Sequence, residues 1–421
     1  MPALPIHDAA PRRLTVALYS YLFLQDFILL YPFYALLFAD TGLSVAQITA
    51  LFIAGAITVI VFEVPSGALA DVLPRRWLIA AAPLFAGVAF ALWVIAPSFE
   101  VFLLGFILWG FGGTLSSGAL EALVYTELEQ HGTAGRYAAV MGLAQAFGVF
   151  AVGASTLLAI PAMNVGGYTL VAIGSVAACV ACAIAGLAMP ETRRAAAPVL
   201  PGNADHARGG YLGTIRAGIQ EVRADHRLLA VIGLVAIIPA VWESLEEYVP
   251  LLAAEHGVAT ADVPWVVFAV WAGVGLGGAL TGRFSGLTAR GTALMLAGST
   301  LLGSLGAVLG GPIGWIALGI AFGGFQITSV LAEAWMQDRI RGTSRATITS
   351  IAGVASEILA IAVLLAYAIA VLLAYAGVQP LGSHAGAFAL LLLVPYLVAA
   401  VLLWRSSGPR SPAAAARATR S

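Results

Sequence analysis

Lysine is absent from this chain, and charge of either sign is scarce. Charged residues make up 10 % of its 421 positions, whereas about 25 % is usual for a soluble domain. That shortage excludes an ordinary water-facing surface. Cysteine occurs twice, at Cys179 and Cys182, inside one apolar run with no histidine or acid beside it. A structural metal wants four such ligands, so the pair reads as small residues packing between helices, and no metal site is expected. The histidines do not cluster either. No P-loop is present, which argues against ATP as the energy source. No nucleophile–base pair stands at a spacing that would support enzyme chemistry, so no catalytic residue and no cofactor is expected. A nucleic-acid partner is not expected.

What remains is hydrocarbon: 61 % of the residues are hydrophobic, in runs close to the roughly 20 residues that a membrane-crossing helix needs. No short, cleavable leader precedes the first run, which therefore reads as a true span. Cutting at charged or Gly/Pro-rich breaks gives twelve spans: 14–39, 44–70, 77–96, 99–128, 137–160 and 166–189, then 228–253, 263–284, 291–309, 313–336, 346–375 and 383–404. This predicts an all-α integral membrane protein with a six-helix bundle over 1–189 and a second over 228–406. Between them, 190–227 is a linker in which 211–225 could form an interfacial helix, and 407–421 is a tail.

The basic residues orient the spans. All 20 are arginine, and every one falls on a tail or on an even-numbered connection. With twelve spans these share one side, which the positive-inside rule makes the cytoplasm. Both termini are then cytoplasmic, in a cell's inner (plasma) membrane, with lipid all round and a monomer as the expected state.

The two halves echo each other at an offset near half the chain length. "GALAD" at 67–71 returns as "GALTG" at 278–282. Ser116-Ser117 and Glu121-Ala122 return as Thr328-Ser329 and Glu333-Ala334, and Arg136 and Arg345 open corresponding spans. Asp26-x4-Tyr31-Pro32 is matched by Glu243-x4-Tyr248-x-Pro250. Four echoes in one order point to duplicated halves of the kind found in transporters.

In the connection after the second span, Gly67-x-Leu69-Ala70-Asp71-x-x-x-Arg75-Arg76 resembles the signature of the major facilitator superfamily, with Val72 and Pro74 in its basic and glycine slots. Pro190-Glu191-Thr192 and Arg345-Ala346-Thr347 look like family features too, so the resemblance covers essentially the whole chain. It implies two rocking six-helix halves related by a pseudo-two-fold axis and a small-molecule substrate. It further implies a cytoplasmic gate in which Gly67 permits close packing. There Asp71 faces the positive N-terminal end of span eleven, and Arg75, Arg76, Arg136 and Arg345 pair or release as that side closes and opens.

Acids inside the spans are the sharpest functional signal, because an ionisable group at the bilayer centre costs roughly 2.5–3.5 kcal/mol on insertion scales and so usually faces a cavity. The candidates are Asp26, Glu63, Glu121, Glu243, Glu246, Glu247, Glu333 and Glu357, with no arginine deep in any span. Glu243, Glu246 and Glu247 stand at i, i+3 and i+4 on one helix face, close enough to repel and to exchange protons. Gln25, Tyr31 and Trp242 are the polar and aromatic neighbours expected near them. A carboxylate-rich cavity suits protons or cationic cargo. Three readings follow. The first is a proton-driven exporter of small amphipathic or cationic compounds. The second is an uptake symporter for a sugar, amino acid or other metabolite. The third, disfavoured by the buried acids, is a sensor that no longer transports.

Overall fold

The computed structural model describes residues 9–133, 136–192, 226–339, 345–376 and 383–406, and the regular structure in these is helical. The proposed interfacial helix at 211–225, most of the linker and the tail at 407–421 lie outside the described residues. The helices are α1 (Ala9–Asp26), α2 (Tyr34–Asp40), α3 (Val45–Val72), α4 (Arg75–Ile95), α5 (Phe99–Gln130) and α6 (Tyr137–Ala188). They continue with α7 (His226–Glu246), α8 (Val249–Glu255), α9 (Val263–Phe284), α10 (Ala289–Leu309), α11 (Gly311–Arg339), α12 (Arg345–Tyr375) and α13 (Ser383–Ser406). Among the described residues, ten helices are long and apolar enough to cross a membrane.

That number departs from the expected twelve at two places with local causes. The first span is not one helix: α1 stops at Asp26, a run of turns follows, and α2 resumes at Tyr34. The fifth and sixth spans run on as α6 with a break inside, at Gly167 (φ 57°, ψ −155°), rather than through a connection at 160–166. That backbone region is essentially reserved for glycine, so the chain reverses there on one residue. The seventh span is interrupted like the first, between α7 and α8 at Glu247-Tyr248.

Helix starts follow from their side chains. Ser44 and Gln47 form a reciprocal capping box at the head of α3, and Ser98 and Thr288 accept from backbone N–H groups one turn on, at 3.3 and 3.2 Å. Two other starts borrow a carboxylate from a distant part of the chain. Glu191 accepts from the backbone N–H groups of Arg75 and Arg76 at 2.8 and 3.3 Å. Glu255 accepts from those of His384 and Ala385 at 3.0 and 2.8 Å. Each places negative charge at the positive end of a helix dipole while satisfying N–H groups that lack partners within the helix.

In the first half of the chain α4 packs on α5 and α6, α1 on α6, and α3 on α5. In the second half α10 packs on α11 and α13, α9 on α11, and α7 on α11 and α12. Among the described helices, α3 with α12, α6 with α9, and α2 with α8 pack across the two halves. The largest core cluster runs from one half into the other, joining Phe38, Phe52 and Trp93 to Tyr248, Phe322 and Tyr367. At the arginine-bearing ends the first half has a cluster of its own, around Leu14, Tyr21, Leu123 and Val124. There α7, α11 and α12 form another, around Leu228, Ile232, Met336 and Ala352. The halves therefore share core toward the arginine-poor face.

Candidate functional site: an acidic and aromatic cavity between the halves

A cavity of about 340 Å³ lies between α3 and α5 of the first half and α7 and α12 of the second. Its walls differ in chemistry. From α7, the residue after it and α12 come Glu243, Ser244, Glu247, Ser356 and Glu357, while α3 and α5 supply Phe52, Val59, Phe106 and Trp109, with Gly113 leaving space beside the rings. Carboxylates thus face an aromatic wall, and among the described residues no arginine lines the space.

The acids are held differently. Glu247 has one carboxylate oxygen, Oε2, buried without a hydrogen-bond partner among the described residues. Its neighbour Glu246 turns away from the cavity and accepts from Trp271 Nε1 on α9 at 2.8 Å. Glu243 on α7 and Glu247 just past its end therefore reach the cavity, and Glu246 between them is held aside by that bond. Glu357 stands within electrostatic reach of both Glu243 and Glu63, and Glu63 accepts from Ser117 Oγ at 3.1 Å. Carboxylates thus extend from the cavity toward the arginine-bearing side along α12 and α3.

The remaining predicted residues fall elsewhere. Asp26 ends α1 with its carboxylate against Gly148 of α6, outside the cavity. Gln25 and Tyr31 line a second, smaller space of about 80 Å³ with Tyr21, Ser116 and Cys179, and the two spaces share Trp109 and Gly113. Tyr31 stacks on Trp109 at 5.8 Å, so that indole stands between them. Trp242 is buried in the second half, donating to Ser329 Oγ at 3.3 Å with its ring edge on Phe322. Glu121 and Glu333 are exposed on α5 and α11 and line neither space. Arg75 donates to Thr126 Oγ1 at 3.2 Å, Arg76 lies over the Trp77 ring, and Arg136 is exposed before α6. The side chains of Asp71 and Arg345, and the packing around Gly67, lie outside the described residues, so the expected gate contact between them does too.

Residues that sequence reasoning did not single out form the aromatic wall. Phe52, Phe106 and Trp109 have the spacing of ordinary core positions. The available signal was "WGFGG" at 109–113, an indole followed one turn on by Gly113, which keeps that helix face open. Among the described residues, no three or more His, Cys, Asp or Glu side chains are grouped to hold a metal ion.

A family model for the Major Facilitator Superfamily matches residues 16–364. No curated protein matches the chain. Among solved structures, the nucleoside transporter NupG superposes with a TM-score of 0.68 at 13 % identity, over 96 % of this chain and 100 % of that one. The D-xylose-proton symporter gives 0.68 at 14 % identity over 94 % and 97 %. A bacterial homolog to the human lysosomal transporter Spinster, in an inward-facing and unoccupied conformation, gives 0.67 at 14 % over 96 % and 96 %. At such identities the likeness is one of fold.

Proposed function

The chain belongs to the major facilitator superfamily, and from that premise we propose a secondary active transporter that exports small amphipathic or cationic compounds in exchange for protons. The energy source is then the proton gradient. The observation that carries this reading is the cavity itself, three carboxylates opposite three aromatic rings, with a Glu247 oxygen that none of the described groups satisfies. A lone carboxylate in a low-dielectric space is costly until a cation or a proton compensates it. Competition between cargo and proton for the same acids is what exchange requires. Phe52, Phe106 and Trp109 give the apolar part of a cargo its contact area and can face a cation with their π surfaces.

Alternating access needs two bodies, and the packing supports twelve spans in two six-helix bundles. The contacts of α4 with α5 and α6 correspond to those of α10 with α11 and α13, and α3 on α5 corresponds to α9 on α11. In this reading α1 with α2 and α7 with α8 are broken single spans, and α6 counts as two. The arginine distribution supports both termini in the cytoplasm, in a plasma membrane, and a monomer suffices for the mechanism. Core shared toward the arginine-poor face, with separate cores at the arginine-bearing ends, supports a state closed to the outside.

The test is flux of a lipophilic cation in inside-out vesicles, with and without an imposed pH gradient. Accumulation that depends on an acid interior and collapses with a protonophore is the expected result. Accumulation indifferent to the gradient contradicts proton exchange, and proton-driven movement out of the vesicles reverses the assigned direction to uptake.

A further inference from the structure

We infer that Tyr248 is the outer-gate residue of this protein, and that its hydrogen bond to Thr49 holds the arginine-poor side of the cavity shut. Tyr248 falls at the interruption between α7 and α8 and is fully buried. Its hydroxyl lies 2.7 Å from Thr49 Oγ1 on α3, a buried bond from one half of the chain to the other. Its ring stacks on Tyr367 of α12 at 3.7 Å and meets Phe52 edge-on at 5.5 Å.

The register shows which side these residues close. Phe52, Glu247 and Leu364 line the cavity. Within about one turn along the chain toward the arginine-poor end come Thr49 on α3, Tyr248 between α7 and α8, and Tyr367 on α12, directly above the cavity. Behind them the contacts continue into the second half. Tyr367 hydroxyl pairs with His384 Nδ1 at 2.8 Å, and His384 is anchored through its backbone N–H to Glu255 at the end of α8. Tyr248 is therefore braced by its own half and reaches across to α3 of the other with its hydroxyl on Thr49 and its ring edge on Phe52. Opening that side requires Thr49 to part from Tyr248, while the stack on Tyr367 can move with the second half as a unit. Tyr248 also follows Glu247 directly, so a change at that carboxylate is transmitted to the gate by a single backbone step.

This inference rests on the transporter reading for its purpose, and its test needs neither substrate nor gradient. In a background with Cys179 and Cys182 replaced by alanine, Ala56→Cys places a thiol on the cavity wall. A membrane-impermeant maleimide is then added from the arginine-poor side, with Ala96→Cys on an exposed connection at that face as the control for sidedness. Loss of one buried hydrogen bond shifts a two-state closure by about fivefold, so Tyr248→Phe and Thr49→Val should each speed labelling of the cavity-wall thiol by about that factor. The double variant should be no faster than either single one, and Thr49→Ser, which keeps the hydroxyl, should label like the parent. Unchanged labelling in Tyr248→Phe, or a double variant equal to the product of the singles, overturns the assignment. Failure of cation transport with the labelling pattern intact would refute the exporter reading and leave the gate standing.

Discussion

Glu247→Gln should lower proton-coupled flux by about tenfold or more, because the amide keeps the shape of the side chain and loses the titratable group. The expected companion result is undiminished or slightly raised thermal stability. Glu247 Oε2 is buried with no partner among the described residues, and a neutral amide is cheaper to hold there than an uncompensated carboxylate. A structural role would give the opposite pattern, with stability and flux falling together. Glu246→Gln is the internal contrast. Its carboxylate accepts from Trp271, and the amide oxygen can still accept that bond, so flux should change little. Rates measured in proteoliposomes alongside melting curves in detergent separate these outcomes.

Gly277→Leu should abolish the folded protein or destabilise it by about 3 kcal/mol or more, since overpacking a helix contact already costs about 1–3 kcal/mol where side chains can yield. Here backbone meets backbone. A Cβ on Gly277 would run into the carbonyl of Gly323, and one on Gly273 into that of Gly319. The two glycine pairs share a four-residue spacing on α9 and α11, so the helices touch along one small-residue stripe, as close contacts between helices in lipid require. Gly282→Leu, near the end of the same helix with open space around its Cβ position, should fold normally. Monodispersity on size exclusion and the midpoint of thermal unfolding read both. Comparable behaviour of the two variants would show that α9 and α11 do not meet along that stripe.

The all-helical membrane fold was legible because hydropathy and arginine placement are long-range signals: an apolar run long enough to span has few other destinations, and arginine marks the ends. The interruptions were harder to read. Tyr31-Pro32 and Tyr248-x-Pro250 were visible as an echo, yet nothing in an apolar sequence distinguishes a broken span from a continuous one until the partner helices are placed. Gly167 shows the same difficulty, since one residue in a glycine-only conformation ends a helix that composition alone would end several residues earlier. In the cavity, Glu243, Glu247 and Glu357 could be proposed from the cost of burying charge. Asp26 could be proposed on the same ground, but its direction depends on how α1 packs against α6, which spacing along one helix does not contain. The aromatic wall was least legible, because Phe52, Phe106 and Trp109 obey the periodicity of buried packing whichever space they border.

Under proton exchange, protons and a cationic cargo compete for the carboxylates of Glu243, Glu247 and Glu357. That competition is read as proton release on addition of a lipophilic cation to purified protein in weakly buffered detergent, followed with a pH-sensitive dye. Wild-type protein should release protons while these acids are still protonated, and the release should vanish as rising pH ionises them before the cation is added. The Glu243→Gln, Glu247→Gln, Glu357→Gln triple variant should release none. Cation binding that releases no protons, or release that survives in the triple variant, would rule out that competition.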